Sequence, residues 1–133
     1  MSIEGKVALV TGASRGIGRA IAESLAQMGV TVVGTATSES GAAAIAERIS
    51  ASGYKGDGVV LNVTDANSVD AAIKSINEKF GAIDILVNNA GITKDNILMR
   101  MKDEEWDDVL ATNLTSVFRL SRACLRGMTK ARW

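Results

Sequence analysis

Histidine is absent from the chain. That one gap removes Ser-His-Asp triads, imidazole acid–base chemistry and histidine-ligated metal sites. Cysteine occurs once, at Cys124, so no internal disulfide can form and a reducing compartment is expected. An excess of either charge is also lacking: 15 basic and 15 acidic side chains balance, with a pI near 6.3. No general field therefore draws the chain to nucleic acid or to an anionic membrane, although local patches stay open. The longest apolar runs fall far short of the ~20 residues that span a bilayer. Met1-Ser2-Ile3-Glu4-Gly5-Lys6 lacks the apolar centre of a signal peptide, and a cytoplasmic location is expected. Proline is missing too, with no firm consequence. What remains is an ordinary globular composition, 47% hydrophobic and 23% charged, in 133 residues that leave room for one domain.

The apolar residues alternate between short β-rich runs and longer stripes of helical period. Val7-Ala8-Leu9-Val10, Thr31-Val32-Val33, Gly58-Val59-Val60-Leu61 and Ile83-Asp84-Ile85-Leu86-Val87 are the four runs. Apolar on both faces, they suit parallel strands covered on either side by helices. Between them, Ile17, Ile21 and Leu25 recur at helical spacing before Gly29. Ala42, Ile45, Ala46 and Ile49 do so before Gly53, and Val69, Ala72, Ile73, Ile76 and Phe80 before Gly81. Thr64-Asp65 is the expected cap of the third helix. A last stripe runs Trp106, Val109, Leu110, Leu114, Val117, Phe118.

This alternation predicts an α/β fold, a doubly wound parallel sheet of the Rossmann type with right-handed crossovers. Residues 1–133 would form the N-terminal part of a single dinucleotide-binding domain, truncated after four strands of the order 3-2-1-4-5-6. The fourth strand would then be an edge, and such edges invite mispairing. The isolated chain is accordingly expected to aggregate or to swap domains unless a partner completes it.

The first run leads straight into Thr11-Gly12-Ala13-Ser14-Arg15-Gly16-Ile17-Gly18 and then a helix. A glycine turn in this setting binds phosphate. Gly12 allows the sharp turn, Gly16 lets backbone approach a pyrophosphate, and Gly18 lets the helix pack closely on the sheet. The first helical N–H groups point at the anion. A dinucleotide site that prefers NAD places an acid about 20 residues past the glycines. Here the region reads Gly34-Thr35-Ala36-Thr37-Ser38, with no acid before Glu39. Arg15 can hold a 2′-phosphate, with Thr37 and Ser14 as neutral donors, so NADP(H) is the expected cofactor.

Two further segments fall at carboxyl ends of strands, where open α/β sheets hold their ligands. They are Asn62-Val63 and Asn88-Asn89-Ala90-Gly91. Small residues at Ala90 and Gly91 would let a ligand lie against the backbone. Asparagine can also fix neighbouring loops through backbone bonds, which leaves Asn88 open between the two roles. Asn113 is the polar residue inside the last apolar stripe. It is either a satisfied core amide at a helix irregularity or the residue that orders a catalytic water or side chain.

Taken together, Thr11-Gly12-x-x-x-Gly16-x-Gly18, Asn88-Asn89-Ala90-Gly91 and Asn113 resemble the short-chain dehydrogenase/reductase family along the whole chain. Within it, residues 35–41 and 91–102 resemble the bacterial 3-oxoacyl-(acyl-carrier-protein) reductases. That resemblance implies NADPH-dependent reduction of a 3-oxoacyl thioester to the 3-hydroxyacyl form in fatty acid elongation, by a homotetramer. It makes Gly12, Ala13, Ser14, Arg15 and Thr37 contacts around the cofactor phosphates. Asn62 and Val63 would flank the adenine and Asn89 would lie near the nicotinamide ribose. Asn113 matches the family's tetrad asparagine, which holds a water in the proton relay. Lys130 and Arg132 resemble a basic patch that docks the acidic carrier protein, although cations near a helix C-terminus also simply complement its dipole.

The family's catalytic serine and Tyr-x-x-x-Lys have no match within these residues. Tyr54 is the only tyrosine, and Gly58 stands where the motif would need lysine. The expectation is a reductase represented by its cofactor-binding half, inactive by itself. A catalytically inert NADP-binding or oligomerisation fragment, and an unrelated mononucleotide-binding protein on half a Rossmann fold, are the alternatives.

Overall fold

The structure, a computed structural model, describes residues 2–90 and 102–132. Its elements run β1 (Val7–Val10), α1 (Gly16–Gln27), β2 (Thr31–Ala36), α2 (Glu39–Ala51), β3 (Gly56–Val60), α3 (Ala66–Phe80), β4 (Ile85–Val87), α4 (Asp103–Leu110) and α5 (Ser116–Ala131). A π-helical turn at Ala111–Thr115 joins the last two helices.

The four strands are parallel and lie in the order β3-β2-β1-β4. Alternate side chains of one strand point to opposite faces, and each face has its own core. Val7, Leu9 and Val33 pack with Val69, Ile73 and Ile76 of α3 and with Leu120 and Cys124 of α5. Ala8, Val10, Val32 and Ala36 pack with Ala22 and Ala26 of α1 and Ile45 of α2. The sheet is therefore covered by α1 and α2 on one face and by α3 and α5 on the other. This is the doubly wound α/β fold that the alternating pattern predicts. Among the described residues β4 is an edge, and Ile85, Leu86 and Val87 are only half-buried.

Local chemistry sets the helix starts. The Ser38 hydroxyl accepts from Gly41 N at 3.1 Å and caps α2. Asp65 Oδ1 accepts from Asn67 N at 2.9 Å and Ser68 N at 3.4 Å, capping α3 at the expected position. Strand bounds differ from the expectation. β2 continues through Gly34, Thr35 and Ala36, and β3 starts at Gly56. Glycine hides these strand residues from an apolar pattern, yet Gly58 is where the backbone of α2 comes closest. A Cβ there would meet Ala42 O and would lie 3.0 Å from Ala46 N.

The last stripe is corrected more deeply. Trp106, Leu114, Val117 and Phe118 are exposed, and α5 instead buries Ser116, Leu120 and Cys124. The π turn accommodates one extra residue, which rotates everything after it by about 100° relative to a continuous helix. The side chains of Val109 and Leu110 lie outside the described residues.

Candidate functional site: a cleft at the carboxyl ends of the strands

A cleft of about 670 Å³ opens across the carboxyl ends of β1, β2, β3 and β4. That volume lies within the range of small-molecule and cofactor sites. The turn from β1 into α1 forms its floor. Gly12 and Gly16 both have φ of +63°, a left-handed conformation that glycine adopts freely. A Cβ at Gly12 would come within 3.2 Å of Ala90 Cα, so glycine also admits the neighbouring strand end. Gly18 lies beneath the turn, where a Cβ would collide with Gly12 O and with Asn89 Nδ2. It is a packing residue and does not line the cleft.

Polar side chains hold this floor rigid. Buried Thr11 carries a hydroxyl that accepts from Asn89 N at 3.0 Å and Ala90 N at 2.9 Å, and donates to Val87 O at 3.3 Å. Asn89 Nδ2 donates to Gly12 O at 3.1 Å. Thr35, buried inside β2, accepts from Gly12 N at 3.4 Å, and its carbonyl accepts from Ala13 N at 2.9 Å. From α2, the Arg48 guanidinium reaches the carbonyls of Ser14 and Ala13. On the far wall, Asn62 Oδ1 accepts from Thr64 N at 3.1 Å and Thr64 Oγ1 at 2.6 Å. Arg119 of α5 donates to Thr64 O at 2.6 Å.

Of the residues singled out in the sequence, Gly12, Ser14, Arg15, Gly16, Thr37, Asn62, Val63, Asn89 and Ala90 line the cleft together. Ala13 does not line it, because its methyl is fully buried against the other sheet face. The Ile17 side chain is also outside the cleft, 74% exposed on the outer side of α1, so only its backbone remains at the helix opening. Asn88 is exposed, and the loop-fixing bond falls to Asn89 instead. Gly91 lies outside the described residues. Asn113 sits half-buried in the π turn, a helix irregularity compatible with either role left open for it in the sequence. Lys130 and Arg132 are exposed at the end of α5, where Arg132 adopts a left-handed φ of 55° as the helix cap.

Thr35, Arg48 and Arg119 are not singled out by the sequence, and Thr11 and Thr64 figure there only as the start of the glycine motif and as part of a helix cap. Thr35 carries a signal, as a hydroxyl inside an otherwise apolar strand must find a partner. Arg48 carries one too, as a cation beside Ile45 and Ile49 on the inward side of α2.

The cleft fits a phosphate-bearing dinucleotide. The opening turn of α1 has four N–H groups without helical partners. Unlike α2 and α3 it has no side-chain cap, and unlike α2 it has no acidic residue in its first turn. Arg15 stands at its N-cap, and among the described residues no carboxylate lines the cleft. Among the described residues no group of three or more His, Cys, Asp or Glu side chains gathers so as to hold a metal ion. Nor is any described helix long and apolar enough to cross a membrane.

The fold and the place of this cleft define an α/β domain of the Rossmann type, and a family model for short chain dehydrogenases matches residues 6–133. The chain belongs to the short-chain dehydrogenase/reductase family. It is 65% identical over 132 residues to the 3-oxoacyl-[acyl-carrier-protein] reductase FabG of Vibrio harveyi, covering 99% of this chain and 53% of that protein. The proteins of the same name from Escherichia coli K12 and Pseudomonas aeruginosa are 62% and 61% identical, over 99% and 100% of this chain and 53% and 54% of their own lengths. The chain thus spans about half the length of the curated relatives it matches.

Proposed function

We propose that the protein carrying these residues is an NADPH-dependent 3-oxoacyl-(acyl-carrier-protein) reductase. One observation carries the cofactor reading. An uncapped helix N-terminus, Arg15 and Thr37 meet at one cleft whose lining, among the described residues, holds no carboxylate. A ribose 2′-hydroxyl would be sought by an acid at the end of β2, whereas a 2′-phosphate is suited by a guanidinium and hydroxyls. The substrate reading follows the activity for which the relatives are named and their identity to this chain.

When bound, the dinucleotide supplies a hydride to a carbonyl carbon. The residues of this chain bind and orient. Backbone N–H groups at Gly16 and Ile17 receive the pyrophosphate, with Gly12 and Ser14 around it and Gly18 packed beneath. Arg15 and Thr37 take the 2′-phosphate. Asn62 and Val63 flank the adenine, while Asn89, Ala90 and Gly91 border the nicotinamide ribose. Asn113 is a positioning residue that orders a water for the proton relay. Lys130 and Arg132 offer cations to an acidic carrier protein, and the apolar side of α5 supports a homo-oligomer. The reaction belongs to fatty acid elongation in the cytoplasm.

The test is NADPH consumption by the full-length protein with a 3-oxoacyl-(acyl-carrier-protein) substrate, alongside direct titration of NADPH. Turnover supports the whole reading. Tight NADPH binding without turnover favours a catalytically inert cofactor-binding partner, and absence of binding removes both.

A further inference from the structure

In a trans peptide the N–H points opposite the C=O of the preceding residue. This rule gives Arg48 a consequence at the glycine turn. Arg48 lies in the last turn of α2 and is half-buried. Its Nη1 donates to Ser14 O at 3.2 Å and its Nη2 to Ala13 O at 3.1 Å. Two consecutive carbonyls of the turn are thereby drawn toward α2. The N–H groups in the same two peptide planes, those of Ser14 and Arg15, are turned away from α2. Ser14 and Arg15 themselves line the cleft. Among the described residues neither N–H has a hydrogen-bond partner.

Arg48 does not line the cleft. It stands behind the turn, in a space of only about 40 Å³ between α1 and α2, too small for a dinucleotide. Its effect on a ligand must therefore pass through the turn. A planar fork can hold both carbonyls at once, which a single ammonium cannot do as rigidly. Bonding to a cation also polarises the two peptides and strengthens their N–H groups as donors. Were Arg48 there only to complement the C-terminal dipole of its own helix, its guanidinium would bond the final carbonyls of α2. It bonds the turn instead.

We infer that Arg48 is a positioning residue for phosphate binding, holding the Ser14 and Arg15 N–H groups aimed at the phosphates of the dinucleotide. The inference rests on the cofactor reading above. Its test is fluorescence titration of NADPH and of NADH, without substrate, on the full-length protein and its Arg48→Met and Arg48→Lys variants. Melting of each protein is followed in parallel without cofactor. NADPH affinity is expected to fall about tenfold in Arg48→Met, the loss of a bond to a charged group. Arg48→Lys should recover part of it, to about threefold below the parent. Equal losses for both cofactors place the N–H groups on the shared pyrophosphate, and a loss confined to NADPH places them on the 2′-phosphate.

NADPH affinity within twofold of the parent in both variants would overturn the inference, even if melting temperature falls, because Arg48 would then only fasten α2 to the turn. If Arg48→Met does not fold, an unchanged affinity in Arg48→Lys overturns it equally. A parent protein that binds neither cofactor would sink the cofactor reading itself, a distinguishable result.

Discussion

Thr37 stands at the rim of the cleft, just past β2, where an acidic side chain would select an unphosphorylated ribose. Replacing it with Asp should repel a 2′-phosphate and offer a 2′-hydroxyl an acceptor. Thr37→Asp is expected to shift the NADPH-to-NADH affinity ratio by on the order of a hundredfold toward NADH, since like charges in close contact cost several kcal/mol. Equal ratios before and after, read by titration of each cofactor, would remove Thr37 from the phosphate site. Cys124 makes a second residue-scale case. Burial between α5 and the sheet pushes its thiol up from 9.0 to about 11. The folded state therefore keeps the proton, while the unfolded chain begins to lose it near its ordinary value. Stability contributed this way is complete below about pH 9 and declines as pH rises toward 11. Iodoacetamide at pH 8 should modify native protein far more slowly than urea-unfolded protein, and comparable rates would contradict the burial.

At the scale of elements, the approach of α2 to β3 depends on Gly58. Ala there would press its methyl into the backbone at Ala42 and Ala46, which cannot swing aside like a side chain. Gly58→Ala should destabilise by about 1–3 kcal/mol, the usual cost of overpacking, seen as a lower urea midpoint. An unchanged midpoint would mean that α2 shifts freely. The same glycine shows what sequence can and cannot reveal. Val7–Val10 and the Ile45, Val69 and Ile76 stripes are readable because apolar side chains announce a buried face. Gly56 and Gly58 belong to a strand for the opposite reason, since having no side chain admits a helix. Thr64-Asp65 and the three helix-ending glycines are legible because capping is local. The face of α5 is not, because the π turn at Ala111–Thr115 changes the phase of the helix, and Asn113 within it hints at an irregularity without fixing the phase. In the cleft, the Gly12–Gly18 turn and Thr37 are legible from position after a strand. Arg48 and Arg119 act across elements distant in sequence, and only the fold brings them to Ser14 and Thr64.

For the whole molecule, the rotated helix has a plain result. Leu114, Val117, Phe118 and Leu125 are exposed along one helix, with the Arg122 guanidinium 4.8 Å from the Phe118 ring centroid. Contiguous apolar surface of this kind marks a site of association. On the proposal of a homo-oligomer, Phe118→Glu should lower the mass of the full-length protein in sedimentation. It should leave NADPH affinity nearly unchanged, because Phe118 is not among the residues lining the cleft. An unaltered mass would separate this face from assembly.

The Thr11 hydroxyl bears on the timing of motion. Asn89 and Ala90 follow the last residue of β4 and belong to no regular element, so their amides would ordinarily be expected to trade hydrogen with solvent quickly. Both are anchored instead to one buried oxygen at the end of β1. In deuterium exchange they should be slow together, at a rate set by the opening of β1 rather than by their own loop. Thr11→Val should release Ala90 fully and Asn89 in part, since Asn89 N also donates to Val87 O at 3.1 Å, so that a single oxygen atom sets the clock of one amide and shares that of the next.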